Sequence, residues 1–139
     1  MPPDLPLLVH AAATGFMAGL IWFVQVVHYP LFAAVGGDRL REYEIQHARR
    51  TTRVVMPVMV IELATAIWIL WSDPTPAAAV GAALLGVIWG STALLQVPLH
   101  GRLARTGRVD LVSPLVRSNW IRTVGWSLRL PLALGLLAY

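Results

Sequence analysis

The sequence predicts an all-α integral membrane protein, a four-transmembrane-helix up-down bundle with both termini outside. Three observations predict it. The 139 residues are 57% hydrophobic and 13% charged, with a mean hydropathy of +0.65. A soluble domain of this size has too much surface to be so apolar. The apolar residues run continuously rather than alternating, over about 7–29, 51–71, 78–98 and 118–138. At ~1.5 Å per residue, each run reaches across a hydrocarbon core about 30 Å thick. Finally, ten of the eleven basic residues, all arginines, fall in or beside the first and third connections. The positive-inside rule makes that side cytoplasmic, in a bacterial-type inner membrane.

The whole chain, 1–139, reads as one transmembrane domain. The first run reads as a helix of the mature protein rather than a signal peptide. Asp4 precedes it where basic residues are expected, and no small-x-small cleavage site follows. It ends near Pro30, and Gly36-Gly37 breaks the connection. Asp38 then reads as an N-cap, with "RLREYEIQHARR" helical and running straight into the second span. "SDPTPA" is a short proline-rich turn, so the second and third spans are antiparallel neighbours. Gly101 and Gly107 mark turns after the third span, and Ser113-Pro114 opens the fourth with proline at its first helical position. Gly15/Gly19 and Gly86/Gly90 have the spacing that brings membrane helices close. Trp68 and Trp71 fit an outer interfacial belt, and Trp120 an inner one. A faint repeat, Gln25/His28 against Gln96/His100, suggests a parallel duplication.

Polar groups converge at one depth. In an up-down bundle, Gln25 and His28 end the first span on one helical face, and Gln96 and His100 end the third on another. His47, Arg50 and Arg53 lie on the approach to the second span, and Asn119 and Arg122 open the fourth. This set is either interfacial decoration at wet helix ends or the mouth of a polar pocket. Deeper in the bundle, Glu62 and Arg129 have similar depth and opposite charge. They form either a packing clamp or a charged pocket floor, with Glu62 as acid or base and Arg129 holding an anionic oxygen. Asn119, Arg122, Trp126 and Arg129 step by 3, 4 and 3 along one helical face, and with Trp22 and Trp89 they suggest a slot for a flat ligand. His10, at the outer end, has no assigned role.

Absence of cysteine excludes disulfides and thiolate metal sites, and absence of lysine excludes Schiff-base chemistry. The arginine placement argues against nucleic acid, so the partners expected are membrane lipids and a hydrophobic small molecule. Three chemistries stay open. His28, His47 and His100 can hold one metal ion, iron, copper or zinc. His28 and His100 can be axial ligands of a haem. Or no cofactor is needed, and histidine and glutamate act as general bases on an acidic C–H.

"HYP" at 28–30, "RR" at 49–50, "QVPLHGRL" at 96–103 and "NWIRT" at 119–123 resemble the anthrone-oxygenase-like family of small four-helix membrane proteins, over roughly residues 15–137. Val27 stands where that family has an acidic residue, His100 where it has asparagine, and Ile121 where it has histidine. The resemblance implies oxygen-dependent oxidation of an electron-rich aromatic that a base can deprotonate. The expected function is therefore an oxidoreductase acting on a lipophilic aromatic or isoprenoid molecule. His28, His47, His100 and Glu62 are its candidate catalytic residues, and Gln25, Gln96, Asn119, Arg122, Trp126 and Arg129 its candidate substrate contacts. The rivals are a cofactor-free isomerase or cyclase, and a lipid-binding, haem-binding, accessory or transport subunit. The transport role would require a homo-oligomer.

Overall fold

A computed structural model describes residues 5–138 of the chain; Asp4 lies outside them. Four helices follow one another: α1 (Leu5–Ala34), α2 (Gly37–Ser72), α3 (Pro76–Thr106) and α4 (Val112–Gly135). The first three are long and apolar enough to cross a membrane. α4, which carries Arg117, Arg122 and Arg129, is not among them.

Side-chain contacts define how the helices run. His28 near the end of α1 meets His47 near the start of α2, while His10 near the start of α1 meets Thr65 near the end of α2. The same reasoning makes α3 antiparallel to α4, through Gln96–Ser118 and Gly81–Arg129, and α1 antiparallel to α4. Met17, Ile21, Phe32, Leu40, Ile88 and Trp126 lie in the shared core, each at most 2% exposed. Leu5, Trp68, Trp71, Leu94 and Val97 face outward, each more than half exposed. Exposed apolar surface on this scale is what a lipid-facing wall requires.

Both α1 and α3 pass through a proline, and in α1 the sequence reading took it for the helix end. Each solves the problem in the same way. Val24–His28 and Thr92–Gln96 are single π-turns, in which Tyr29 N–H reaches back to Val24 O and Val97 N–H to Thr92 O. The proline follows immediately, at Pro30 and Pro98. Proline has no N–H and crowds the carbonyl four residues earlier; a widened turn relaxes that conflict, so the helix continues. α1 runs on to Ala34 and α3 through Gly101 to Thr106. The π-turns also revise the register of the suggested repeat. Aligned on turn and proline, His28 corresponds to Gln96, not to His100.

α2 is one continuous helix of 36 residues, as the sequence suggested. At ~1.5 Å per residue it is about 54 Å long, well beyond a hydrocarbon core of about 30 Å. Its first turns overhang and pack against the end of α3, where Arg41 donates to Ala104 O. Gly36, not Asp38, occupies the N-cap, at φ 84°, a conformation that suits glycine. Gly107 closes α3 at φ 63°, its N–H on Leu103 O. α4 begins at Val112, two residues before Pro114. Thr75 caps the other end of α3, accepting from Ala78 N at 3.1 Å ahead of Pro76.

The close approach of helices is not where the glycine pairs suggested. A Cβ on Gly19, Gly86 or Gly90 would meet nothing within 4 Å, and one on Gly15 only Leu130, at 3.8 Å. Gly125 is the tight contact: a Cβ there would lie 2.7 Å from Ile88 Cγ1, so α3 and α4 meet at this point.

Candidate functional site

At the overhanging end, three helices bring imidazoles together. His28 from α1 and His47 from α2 share a hydrogen bond, Nε2 to Nδ1, at 2.9 Å. The His47 and His100 rings stack with centroids 5.4 Å apart. His100 donates from Nδ1 to Glu44 Oε1 at 2.7 Å. Its Nε2 is then free to accept, and Tyr29 O–H donates to it at 2.8 Å. Tyr29, His100 and Glu44 thus form one chain of hydrogen bonds. Thr51 Oγ1 lies 3.1 Å from His47 Nδ1. Glu44 is fully buried, and its Oε2 has no hydrogen-bond partner among the described residues. A buried carboxylate oxygen without a partner is costly, and its presence here calls for an explanation.

The cluster borders a cavity of about 310 Å³ between α1, α2 and α3. Met17, Leu20, Ile21, Val55, Met56 and Met59 supply its apolar wall. Tyr29, His47, His100, Gln96 and Arg122 supply polar groups, with threonines at 51, 52 and 92. Arg122 is the one residue α4 contributes; its guanidinium sits 5.5 Å from the Trp126 ring centroid. Gln96 donates to Ser118 Oγ at 2.7 Å, while its Oε1 has no partner among the described residues. A second cleft, of about 550 Å³, lies on the other side of His47 and is lined by His28, Arg39, Glu42 and Arg50. His47 borders both spaces.

Gln25 and Asn119 are placed elsewhere. Gln25 donates to Val116 O at 3.1 Å and accepts from Asn119 Nδ2 at 2.9 Å, with the Thr123 hydroxyl 3.1 Å away. This ties α1 to α4 and does not line the cavity. The expected inward face of α4 is there: Asn119, Arg122, Trp126 and Arg129 are all buried. Only Arg122 of the four reaches the cavity. The Trp22/Trp89 slot is not formed, since Trp22 donates to Ser127 at 2.9 Å on the outer surface and Trp89 does not line the cavity.

Glu62 and Arg129 meet, with Arg129 Nη2 3.1 Å and Nε 3.2 Å from Glu62 Oε1. Thr14 donates to the same oxygen at 2.8 Å, and Trp126 Nε1 to Oε2 at 3.0 Å. Arg129 Nη1 also donates to Gly81 O. Glu62 and Trp126 do not touch the cavity, and Arg129 borders only a crevice of about 10 Å³. The pair is therefore no floor to the pocket; α1, α2, α3 and α4 all converge on it as a clamp. His10, without a role in the sequence reading, completes it. Thr65 donates its hydroxyl proton to Ile61 O, so His10 Nδ1–H donates to Thr65 Oγ1 at 2.9 Å. His10 Nε2 then accepts from Arg129 Nη2 at 3.3 Å.

Sequence reading missed Glu44, Tyr29 and His10. Glu44 had a signal: Glu44-x-x-His47 puts a carboxylate and an imidazole on one helical face, a spacing that carboxylate-bridged metal proteins use. Tyr29 and His10 had none, because their partners come from α2, α3 and α4. No family model, no curated protein and no solved structure matches this chain.

Proposed function

We propose that this chain is a membrane-embedded oxidoreductase that oxidises a lipophilic small molecule, aromatic or isoprenoid, with dioxygen. In this reading all four helices cross a bacterial-type inner membrane up and down as one unit. Both termini lie outside, and the arginine-rich connections face the cytoplasm. α4 serves as the fourth crossing because Arg122 and Arg129 turn inward, 7% and 1% exposed, leaving a wall that includes Val124, Leu128 and Leu134. The resemblance to anthrone-oxygenase-like proteins points to the same reaction class.

One observation carries the reading: an apolar cavity large enough for a small molecule has at one end an imidazole–carboxylate–phenol cluster whose carboxylate and phenol are buried. The apolar wall takes the body of the substrate. Arg122 holds its carbonyl or phenolic oxygen, and that contact stabilises negative charge as a neighbouring C–H loses its proton, while Gln96 Oε1 accepts from a phenolic O–H. The cluster takes up the proton. For a methylene, the substrate carbon then gains one oxygen atom from dioxygen to become a carbonyl. The other oxygen leaves as water with the two hydrogens of the methylene. A second reading has support of its own. The Tyr29–His100–Glu44 chain already connects three proton-transfer groups, which suffices for an isomerase or cyclase without dioxygen.

The test uses the full chain in lipid nanodiscs. Organic molecules that co-purify are extracted, identified by mass spectrometry and returned to the protein at an oxygen electrode. One dioxygen is expected per molecule oxidised, with turnover down roughly 100-fold or more in His100→Ala and Arg122→Gln. Conversion without oxygen uptake would support the isomerase reading instead. A cavity that retains only bulk phospholipid, with both variants indistinguishable from the parent, would refute both.

A further inference from the structure

We infer that Glu44, His47 and His100 form a binding site for one divalent first-row transition-metal ion. Each offers a ligand atom, and the three atoms lie within 4.8 Å of one another, a spacing one ion can bridge. The donor set, two imidazoles and one carboxylate, is the set that holds iron(II) or zinc(II) while leaving positions open for a small molecule. The three residues come from two helices, α2 and α3, whose packing holds them without a loop.

Two further features point to an ion rather than to a polar core. Glu44 Oε2 is fully buried with no partner, so the carboxylate has unused capacity on the protein side. And each ligand histidine is held from its far nitrogen. To bind the ion through Nδ1, beside Glu44, His100 takes the other tautomer: Nδ1 gives up its proton and Nε2–H donates to the Tyr29 oxygen. His47 makes its hydrogen bonds, to His28 and Thr51, through Nδ1, which leaves Nε2. Metal-bound imidazoles are characteristically fixed in this way by an outer partner. The arrangement reassigns the histidines: Glu44 replaces His28 in the ligand set, and His28 becomes a positioning residue for His47. Two of the three ligand residues, His47 and His100, line the apolar cavity.

This inference goes beyond the proposed reaction and does not depend on it, because the ion can be measured without any substrate. The full chain is purified in detergent, its metal content is measured by mass spectrometry, and the metal-free protein is titrated with cobalt(II) while visible absorption is followed. One equivalent of ion is expected, with cobalt d–d bands that zinc(II) abolishes. Glu44→Gln keeps the side chain's shape and should still lose the ion, as should His100→Ala. His28→Ala should retain one equivalent with affinity lowered roughly 10–100-fold, because it removes only the outer partner. Circular dichroism on each variant separates loss of the ligand from loss of the fold. A well-folded parent that takes up neither cobalt(II), iron(II) nor zinc(II) would overturn the site, as would binding unchanged in both Glu44→Gln and His100→Ala. An ion bound with no oxygen uptake would leave the site standing and remove the proposed reaction; oxidation by a parent that takes up none of these ions would do the reverse.

Discussion

The two buried polar clusters of this protein are made from the same parts and end in opposite states. Each has a fully buried glutamate, a histidine, an arginine nearby and an aromatic donor. Around Glu62 every carboxylate oxygen is occupied: Thr14 and Arg129 donate to one, Trp126 to the other, and His10 is held at both nitrogens. The adjoining crevice, about 10 Å³, has room for little more than a water molecule. Around Glu44 one oxygen is orphaned, His47 has a nitrogen to spare, and a cavity of about 310 Å³ is lined by His47 and His100. A saturated network in a dry centre holds helices together. A network with unused donors and acceptors beside a space can bind something. The difference is capacity left over, not residue type.

The largest effect on stability should come from Glu62. Glu62→Ala leaves Arg129 buried without its counter-charge, and removing one partner of a buried pair costs about 3–5 kcal/mol. Denaturant unfolding in detergent micelles reads the loss directly. The matching change at the other cluster, Glu44→Ala, should cost far less stability while abolishing whatever the site binds. Equal losses at the two glutamates would mean the clusters are both clamps.

Gln25→Ala should fall between them. It strips the α1–α4 tie of a donor and an acceptor and leaves buried Asn119 and Thr123 short of a partner. About 1–3 kcal/mol is expected, the usual penalty for a buried polar group left unpaired. Turnover should stay close to the parent's, since Gln25 does not line the cavity. A collapse of turnover with little change in the unfolding midpoint would place Gln25 in the site after all.

The smallest effect belongs to Arg108 and Asp110. They form a bidentate pair in the connection before α4, and Arg108 holds the Asp110 carboxyl below its ordinary range, chiefly through that hydrogen bond. Both are well exposed, at 65% and 60%, so water and salt screen the attraction. Arg108→Ala should leave the unfolding midpoint unchanged, and the parent should show no acid-dependent loss that this pair explains.

Continuous apolar runs, the arginine-rich connections and the opposed Glu62 and Arg129 were readable along the chain. So was the helical continuity of α2, because nothing in "RLREYEIQHARR" breaks a helix. The helix end was misread at Pro30, where the preceding turn widens and the helix runs on, while Pro57 and Pro131 sit inside α2 and α4 without any such turn. Roles within the polar groups were misread where the sequence showed depth but not direction. Gln25 sits at the same level as His28 and points into α4; Glu44 looks like one acidic residue among others on an exposed segment until α3 covers it.

Composition and periodicity therefore decided that this chain has four helices and that long apolar ones among them can enter a membrane, because those properties are sums over neighbouring residues. Which carboxylate is sealed and which is left with an unused oxygen was decided only when helices distant in sequence packed against each other. A hydrogen bond requires its partner within about 3 Å, and no spacing along one helix says what another helix will bring there.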